Sequence, residues 1–273
     1  KNLVGEFTWD TSLTFSKTNS FWKERLPNYD YQIYQQRENE PMSAYYYYNV
    51  TGIINTDRSN MPESQKTLQA EAQLPGCPII EDKNKDGKID ENDVYMKDNS
   101  PAIYVGIGNT FTYKRFEFSF FMYGQFGIQK YNIAYSAAQA GPLAVDYPEN
   151  SNKFAYRLWN SQTNPNGSRP GLAIGKMGAL PGNAWVNADR ENASFMRMRN
   201  ITLAYNLAGN ILGSLQRYVR NIKVYVDAQN PFILTKFQGF DPEIYTGGGG
   251  ASGGSRGEYP QTRTFSLGVN ITF

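Results

Sequence analysis

The segment Asp82-Lys-Asn-Lys-Asp-Gly-Lys-Ile-Asp-Glu-Asn-Asp93 sets oxygen donors at the spacing of a calcium loop. Asp82, Asn84 and Asp86 take its first, third and fifth positions. Gly87 falls where a sharp turn is needed, Lys88 offers a backbone carbonyl, and Asp90 and Asp93 take the ninth and twelfth places. Ile89 stands where an apolar anchor is expected. Carboxylates spaced in this way repel one another when bare, whereas Ca²⁺ takes six to eight oxygens at about 2.3 to 2.6 Å and turns that repulsion into coordination. Asp93 replaces the usual bidentate Glu and reaches less far, so the expected site is weak, in the range of about 10⁻⁴ to 10⁻³ M. The competing reading is a solvated turn, because Asn and Asp stabilise turns without any metal.

Other chemistry is sparse. The 273 residues contain no His, which removes the commonest general base and the commonest transition-metal ligand. No nucleophile elbow, phosphate loop or zinc spacing occurs, and no pair of carboxylates is singled out, so the chain is read as a non-enzyme. Lys+Arg number 27 against 25 Asp+Glu, a balance without the basic footprint of a nucleic-acid binder. The single cysteine, Cys77, excludes an internal disulfide framework. Loop aromatics such as Tyr135, Tyr147, Trp159, Trp185 and Tyr245 suit stacking on sugar rings, although packing against neighbouring loops is the commoner use of such residues.

The elements that must carry these residues are strands. From Thr264 to Phe273 the residues Phe265, Leu267, Val269, Ile271 and Phe273 share one parity, and Thr264, Ser266, Gly268, Asn270 and Thr272 share the other. A period-two strand built this way has one wholly apolar face. The same alternation recurs from Gly5 to Ser16, in the hairpin arms Ile103 to Tyr113 and Phe116 to Phe126, from Asn200 to Leu207 and from Ile222 to Gln229. Strands are also expected at Tyr29 to Gln36 and Ala44 to Val50, where alternation is poor and Tyr45 to Tyr48 put tyrosine on both faces. About eight strands result. Lys114-Arg115 is not an Asn-Gly tight turn, so the hairpin turn is expected to take in a neighbour on each side. Aromatics make up 15% of the chain, as the girdles of a membrane barrel require, and a mean hydropathy of −0.58 agrees, since alternate polar residues cancel the apolar ones.

Connection lengths then give polarity. Long connections run from 52 to 100, from 127 to 194 (with a short helix expected near Asn150 to Trp159) and from 231 to 260, and the Lys114-Arg115 turn falls at the opposite end. Outer-membrane barrels combine short periplasmic turns with long extracellular loops. The pattern therefore predicts an all-β fold of antiparallel transmembrane β-barrel strands, with one parity in lipid, the other facing a watery lumen, and the three long loops outside. A soluble or surface-attached β-rich carbohydrate-binding module is the alternative. The chain starts Lys-Asn-Leu-Val with a strand pattern almost at once, as expected of a piece of something longer.

Several segments together resemble the C-terminal part of the SusC/RagA family of TonB-dependent outer-membrane transporters. They are Asp82 to Asp93 ahead of the hairpin; Trp159-Asn160 with Asn164-Pro165-Asn166; Phe195 to Leu207; Val224 to Pro231 with Phe240-Asp241-Pro242; and Tyr259 to Phe265 running into Phe273. The resemblance covers most of the chain. It implies that residues 1 to 273 are part of a receptor barrel of 22 strands lacking its plug domain; the EF-hand-like calcium loop read from the spacing of Asp82 to Asp93 then lies inside an extracellular loop. It also implies nutrient import of oligosaccharides or peptides in the bacterial outer membrane, energised by the TonB system through the missing N-terminal part, with a SusD-like surface lipoprotein as lid. In that context Phe265, Leu267, Val269, Ile271 and Phe273 form the expected signal for the outer-membrane assembly machinery.

Overall fold

The computed structural model describes residues 2–27, 29–35, 39–100, 103–132, 153–171, 177–239, 241–243 and 260–273. Its strands are β1 (Asn2–Val4), β2 (Phe7–Ser16), β3 (Ala44–Tyr48), β4 (Val50–Ile53), β5 (Pro78–Ile80), β6 (Tyr95–Asp98), β7 (Ile103–Tyr113), β8 (Phe116–Phe126), β9 (Gln129–Tyr131), β10 (Trp185–Val186), β11 (Arg190–Asn192), β12 (Phe195–Ala208), β13 (Asn221–Gln229), β14 (Ile233–Thr235) and β15 (Thr264–Thr272). Among the described residues no helix is long and apolar enough to cross a membrane, a fact that leaves crossing by strands open.

One large antiparallel sheet runs β1-β2-β7-β8-β12-β13-β15, with β14 pairing onto β12. Its register joins the alternations of separate strands into continuous rows. Trp9, Phe111, Phe118, Leu203, Val226 and Leu267 lie opposite one another in turn, as do Asp10, Thr110, Ser119, Thr202, Asp227 and Ser266 one residue along. The first face is apolar and uncovered: Leu13, Phe15, Leu203, Val226, Phe265, Leu267 and Val269 are all exposed. On the second face the polar groups pair laterally, Lys223 Nζ with Glu117 Oε1 at 2.9 Å and the Thr202 hydroxyl donating to Asp227 at 2.6 Å. Asn109 is a polar residue at an apolar-parity position. Its Oδ1 accepts the indole N–H of Trp9 at 2.8 Å, so one polar residue satisfies another on a face without water.

Three expectations need correcting. Among its described residues, Tyr29 to Gln36 forms no strand but carries a 3-10 turn at Ile33–Gln35. Ala44 to Val50 does form strand, split between β3 and β4, but outside the large sheet, whose eight strands are six long ones with the short β1 and β14. The cause is the tyrosine run: Tyr48 is fully buried, Tyr46 packs 5.1 Å from Tyr34 between ring centroids, and the loop rather than lipid receives these side chains. Finally, Tyr113 pairs directly with Phe116, so Lys114-Arg115 is a two-residue turn in which Lys114 adopts φ 53°. Removing two crossings together leaves the polarity unchanged, and the connections β2 to β7, β8 to β12 and β13 to β15 all leave one end of the sheet.

At that end the connections fold onto one another. β10 pairs parallel with β3, β6 pairs with β3, β4 with β5 and β9 with β11. Tyr48, Ile54, Cys77, Ile80, Val94, Met177 and Leu180 belong to one buried cluster drawn from two of the three long connections. Gln65, fully buried, is tied in by donating to the Ala72 and Pro78 carbonyls and accepting from the Ile80 amide at 3.0 Å. The short helix expected near Asn150 to Trp159 is a 3-10 turn at Lys153–Arg157.

The uncovered rows predict an asymmetric response to charge. In the full-length protein, Val269→Arg places a guanidinium on the apolar face and should cost roughly 2 to 4 kcal/mol of barrel stability, whereas Asn270→Arg on the other face should be tolerated. Heat-modifiable electrophoretic mobility after membrane insertion measures both, and equal damage would remove the two-faced sheet from the explanation.

Candidate functional site

The six predicted ligand residues share one turn, and the side-chain oxygens of Asp82, Asn84, Asp86, Asp90 and Asp93 accept from backbone amides. Asp82 accepts from the Asp86 and Gly87 amides at 3.2 and 2.9 Å, Asn84 Oδ1 from the Asp86 amide at 3.1 Å, and Asp86 from the Lys88 amide at 3.1 Å. Lys85 and Gly87 supply the positive φ values, 61° and 88°, that bend the chain back on these acceptors. Asp93 is fully buried and accepts from the Lys83 and Asp90 amides at 2.8 and 2.9 Å, completing a capping box with Asp90 over the 3-10 turn Glu91–Asp93. Lys88 brings its ammonium 2.8 Å from Asp90 Oδ2 and 3.9 Å from Asp86 Oδ2. That contact, followed by the Asn92 amide, holds the Asp90 carboxyl below its ordinary range. Ile89 is buried in the loop cluster as an anchor should be, and the Tyr48 hydroxyl lies 3.0 Å from the Asp90 carbonyl. The donors are thus all oxygen, which suits a hard cation. Among the described residues, however, no three acidic, cysteine or histidine side chains converge on one point, and Lys88 supplies the positive charge between Asp86 and Asp90.

A second constellation lies where a long connection meets the wall, and sequence reasoning missed its chemistry. A β-bulge between Met198 and Asn200 interrupts β12. Next to it, buried Arg197 holds both oxygens of Asp241 at 2.7 and 2.8 Å and also pairs with Glu243. Arg199, inserted by the bulge, donates to Glu243 Oε1 at 2.7 Å and stacks over the Tyr123 ring at 4.7 Å, while the Tyr123 hydroxyl donates to the same carboxylate. Two guanidinium groups meet two carboxylates. Buried charges persist only when paired and hydrogen-bonded, and here each has more than one partner. Asp241 additionally accepts from the amides of Glu243 and Gln261, so one strand pins the 241–243 segment to the inner wall.

Of the remaining sequence candidates, Phe265, Leu267, Val269 and Ile271 line the apolar face of β15 and Phe273 follows it, all five exposed. Trp185 begins β10 with its side chain largely exposed, and Trp159 packs close to Gly76, whose φ is 89°. Tyr135, Tyr147 and Tyr245 lie outside the described residues.

One buried titratable group of the loops is Asp189. It is buried beside Arg169 and Glu191, which pair at 2.6 Å, and its Oδ1 has no hydrogen-bond partner among the described residues. Burial pushes its carboxyl up to about 6, against the pull of Arg169 and with a further push from Glu191. The folded state therefore holds this proton more tightly than the unfolded chain does. Stability of the surrounding loop should fall as pH rises from about 4 to 6 and stay level above, by at most about 3 kcal/mol. Asp189→Asn should flatten that dependence, measured as the hydrogen-exchange protection factor of the Asn132 amide, which donates to the Asp189 carbonyl at 2.7 Å. A slope that survives the substitution would assign it elsewhere.

No family model matches the chain. Among curated proteins, TonB-dependent receptor SusC of Bacteroides thetaiotaomicron is 31% identical over 196 residues, covering 70% of this chain and 17% of that protein. TonB-dependent receptor P26 of Formosa agariphila is 30% identical over 226 residues, covering 77% and 21%. TonB-dependent receptor P3 of the same organism is 26% identical over 287 residues, covering 98% and 27%. The chain thus spans only about a sixth to a quarter of the length of these relatives. Among solved structures, the RagAB peptide importer in its closed-closed state superposes with a TM-score of 0.64 at 17% identity over the whole of this chain and 28% of its own. A further structure of the RagAB peptide transporter gives 0.64 at 20% identity over 98% and 27%. The two-faced sheet, its polarity and these likenesses agree: the chain belongs to the SusC/RagA-like TonB-dependent receptors, as part of their β-barrel.

Proposed function

We propose that this chain builds part of the wall and outer mouth of a channel that imports an oligosaccharide or a peptide across the bacterial outer membrane. The observation that carries the reading is the sheet itself, apolar and uncovered on one face, polar and laterally paired on the other. In this reading the TonB system energises import through parts of the protein beyond these residues. A SusD-like surface lipoprotein closes the mouth formed by the long connections, and names of relatives as receptors and importers fit a role without catalysis. The exposed Ser59 and Gln162 lie outside the cell, and the Lys114 turn lies in the periplasm.

Two measurements bear on it. Single cysteines at Ser59, Gln162 and Lys114 of the full-length protein should divide, the first two reacting with an impermeant maleimide on intact cells and the third only after permeabilisation. Native Cys77 need not be removed, since it is buried and its thiol is pushed up to about 11. Cells lacking the full-length protein should lose energy-dependent uptake of its nutrient; unchanged uptake, or reversed labelling, would defeat the reading.

We further propose that Asp82, Asn84, Asp86, Asp90, Asp93 and the Lys88 carbonyl take Ca²⁺ once the Lys88 ammonium swings away. The all-oxygen donor set and the already bent turn support this. Because the ammonium competes for Asp86 and Asp90, Lys88→Ala should tighten calcium binding from the weak range of about 10⁻⁴ to 10⁻³ M. Asp82→Ala combined with Asp86→Ala should abolish it. Protease resistance of the loop, titrated with Ca²⁺ against Mg²⁺, reports both; no calcium dependence in the wild type or in Lys88→Ala would leave a metal-free turn.

A further inference from the structure

Arg169, Asp189 and Glu191 set one guanidinium beside two carboxylates inside the mouth, and the three are unequally satisfied. Arg169 donates to Glu191 Oε1 at 2.6 Å and to the Ala188 carbonyl. The second oxygen of Glu191 accepts from the Asn132 side-chain amide at 3.2 Å and from the Gln238 backbone amide at 3.1 Å. Arg169, Asn132 and Glu191 belong to the β8–β12 connection, whereas Gln238 belongs to the β13–β15 connection. One carboxylate, its side chain only 9% exposed, therefore joins two of the three long connections. Asp189, two residues before it and also buried, keeps an oxygen without a hydrogen-bond partner among the described residues.

The charged groups of the neighbouring elements have other places. Arg190 stacks over the Tyr45 ring at 3.6 Å and donates to Asn99 at 3.3 Å, Arg157 donates to the Gln238 side chain, and Lys130 stands on β9 opposite Glu191. At Asp189 burial is the largest influence; Arg169 favours the ionised form and Glu191 opposes it. A protonated Asp189 leaves Arg169 to Glu191, which is the arrangement seen. An ionised Asp189 is a buried anion with an unpaired oxygen, a costly state until a cation or water reaches it. Arg169 is the cation that acts on it, yet its guanidinium already engages Ala188 and Glu191, so turning toward Asp189 weakens those contacts. We propose that Asp189, Arg169 and Glu191 form a proton-operated clamp: with Asp189 protonated, Arg169 holds Glu191 and the two connections stay joined at Gln238; with Asp189 ionised, Arg169 is drawn away and the junction loosens. The sign follows from a carboxyl pushed up to about 6, whose stabilisation is present at low pH and lost as pH rises through that value. The clamp is a property of these two connections whatever the channel carries.

The test is hydrogen exchange of the full-length protein in detergent between about pH 4.5 and about pH 7.5, resolved to single amides and corrected for the intrinsic rate at each pH. The Gln238 amide should be protected at the acid end and lose about tenfold of that protection with a midpoint near 6; the rise of the Asp189 carboxyl from its ordinary range caps the effect at about a hundredfold. Asp189→Asn should keep Gln238 protected throughout. Glu191→Gln should remove the pH dependence while still offering that amide a carbonyl. Heat-modifiable mobility identifies folded variants, and if one of the two does not fold, the other decides. Protection at Gln238 that is flat with pH in the wild type, or a slope that survives in either folded variant, would overturn the clamp. A slope at the Asn132 backbone amide alone would overturn it too, since that amide reports Asp189 through its own carbonyl. Uptake and surface labelling judge the channel reading separately.

Discussion

Everything in this structure depends on lateral backbone pairing in a sheet whose apolar face is uncovered among the described residues. Hydrocarbon offers no partner to an N–H or C=O, so a strand in lipid survives only if its neighbours satisfy it along its whole length. The ladder from β2 to β15 does this with registers that stay in phase over four of its five pairings, the exception being the bulge between β8 and β12. Phase is as important as pairing. A slip of one residue would move Phe265, Leu267 and Val269 into water and Ser266 and Asn270 into hydrocarbon at once. Side-chain rows such as Trp9 to Leu267 therefore are what fixes register, although no buried core stands behind them.

The loops at the open end obey a different rule. Their strands are two to five residues long, too short to be stable as isolated pairs, and they close because Tyr48, Cys77, Ile80, Val94 and Leu180 leave water together. Where the two regimes meet, neither lipid nor an apolar core is present, and charge takes over. Arg197 and Arg199 draw Asp241 and Glu243 onto the wall, with the bulge supplying the extra arginine from a single strand. The calcium-like turn belongs to the loop regime: it is held by Ile89 and the capping box whether or not a cation is bound.

The six long strands were legible because lipid and lumen impose a period of two on each of them separately, and the resemblance read from Phe195 to Leu207 and from Asp82 to Asp93 matches the relatives found. The loop assembly was not legible. Its contacts join residues such as Tyr48 and Val186, far apart in sequence, and its tyrosines imitate barrel strands while packing inward. The start of β12 was missed for a local reason. Counting back from Asn200 by twos gives Met198 and Met196 the inner parity, whereas the bulge moves Met198 opposite Met122 on the outer rows. The same extra residue brings Arg199 beside Tyr123, so the broken alternation and the missed ion cluster share one cause. The spacing from Asp82 to Asp93 was read as a weak calcium loop against a solvated Asx turn, and no sequence rule announces that Lys88 would fold back on Asp86 and Asp90.

The parallel pairing of β10 with β3 has a consequence for assembly. Parallel neighbours cannot be joined by a tight turn, and these two are separated in the chain by both arms of the β7–β8 hairpin. The stretches 44–48 and 185–186 flank both arms of that hairpin, so their pairing closes a loop that contains the whole of it. Once made, the pairing straps the far ends of β2, β7, β8 and β12 together from above. The mouth thus couples the strands it joins, since withdrawing β7 or β8 would open a loop whose two ends are held by the same buried cluster.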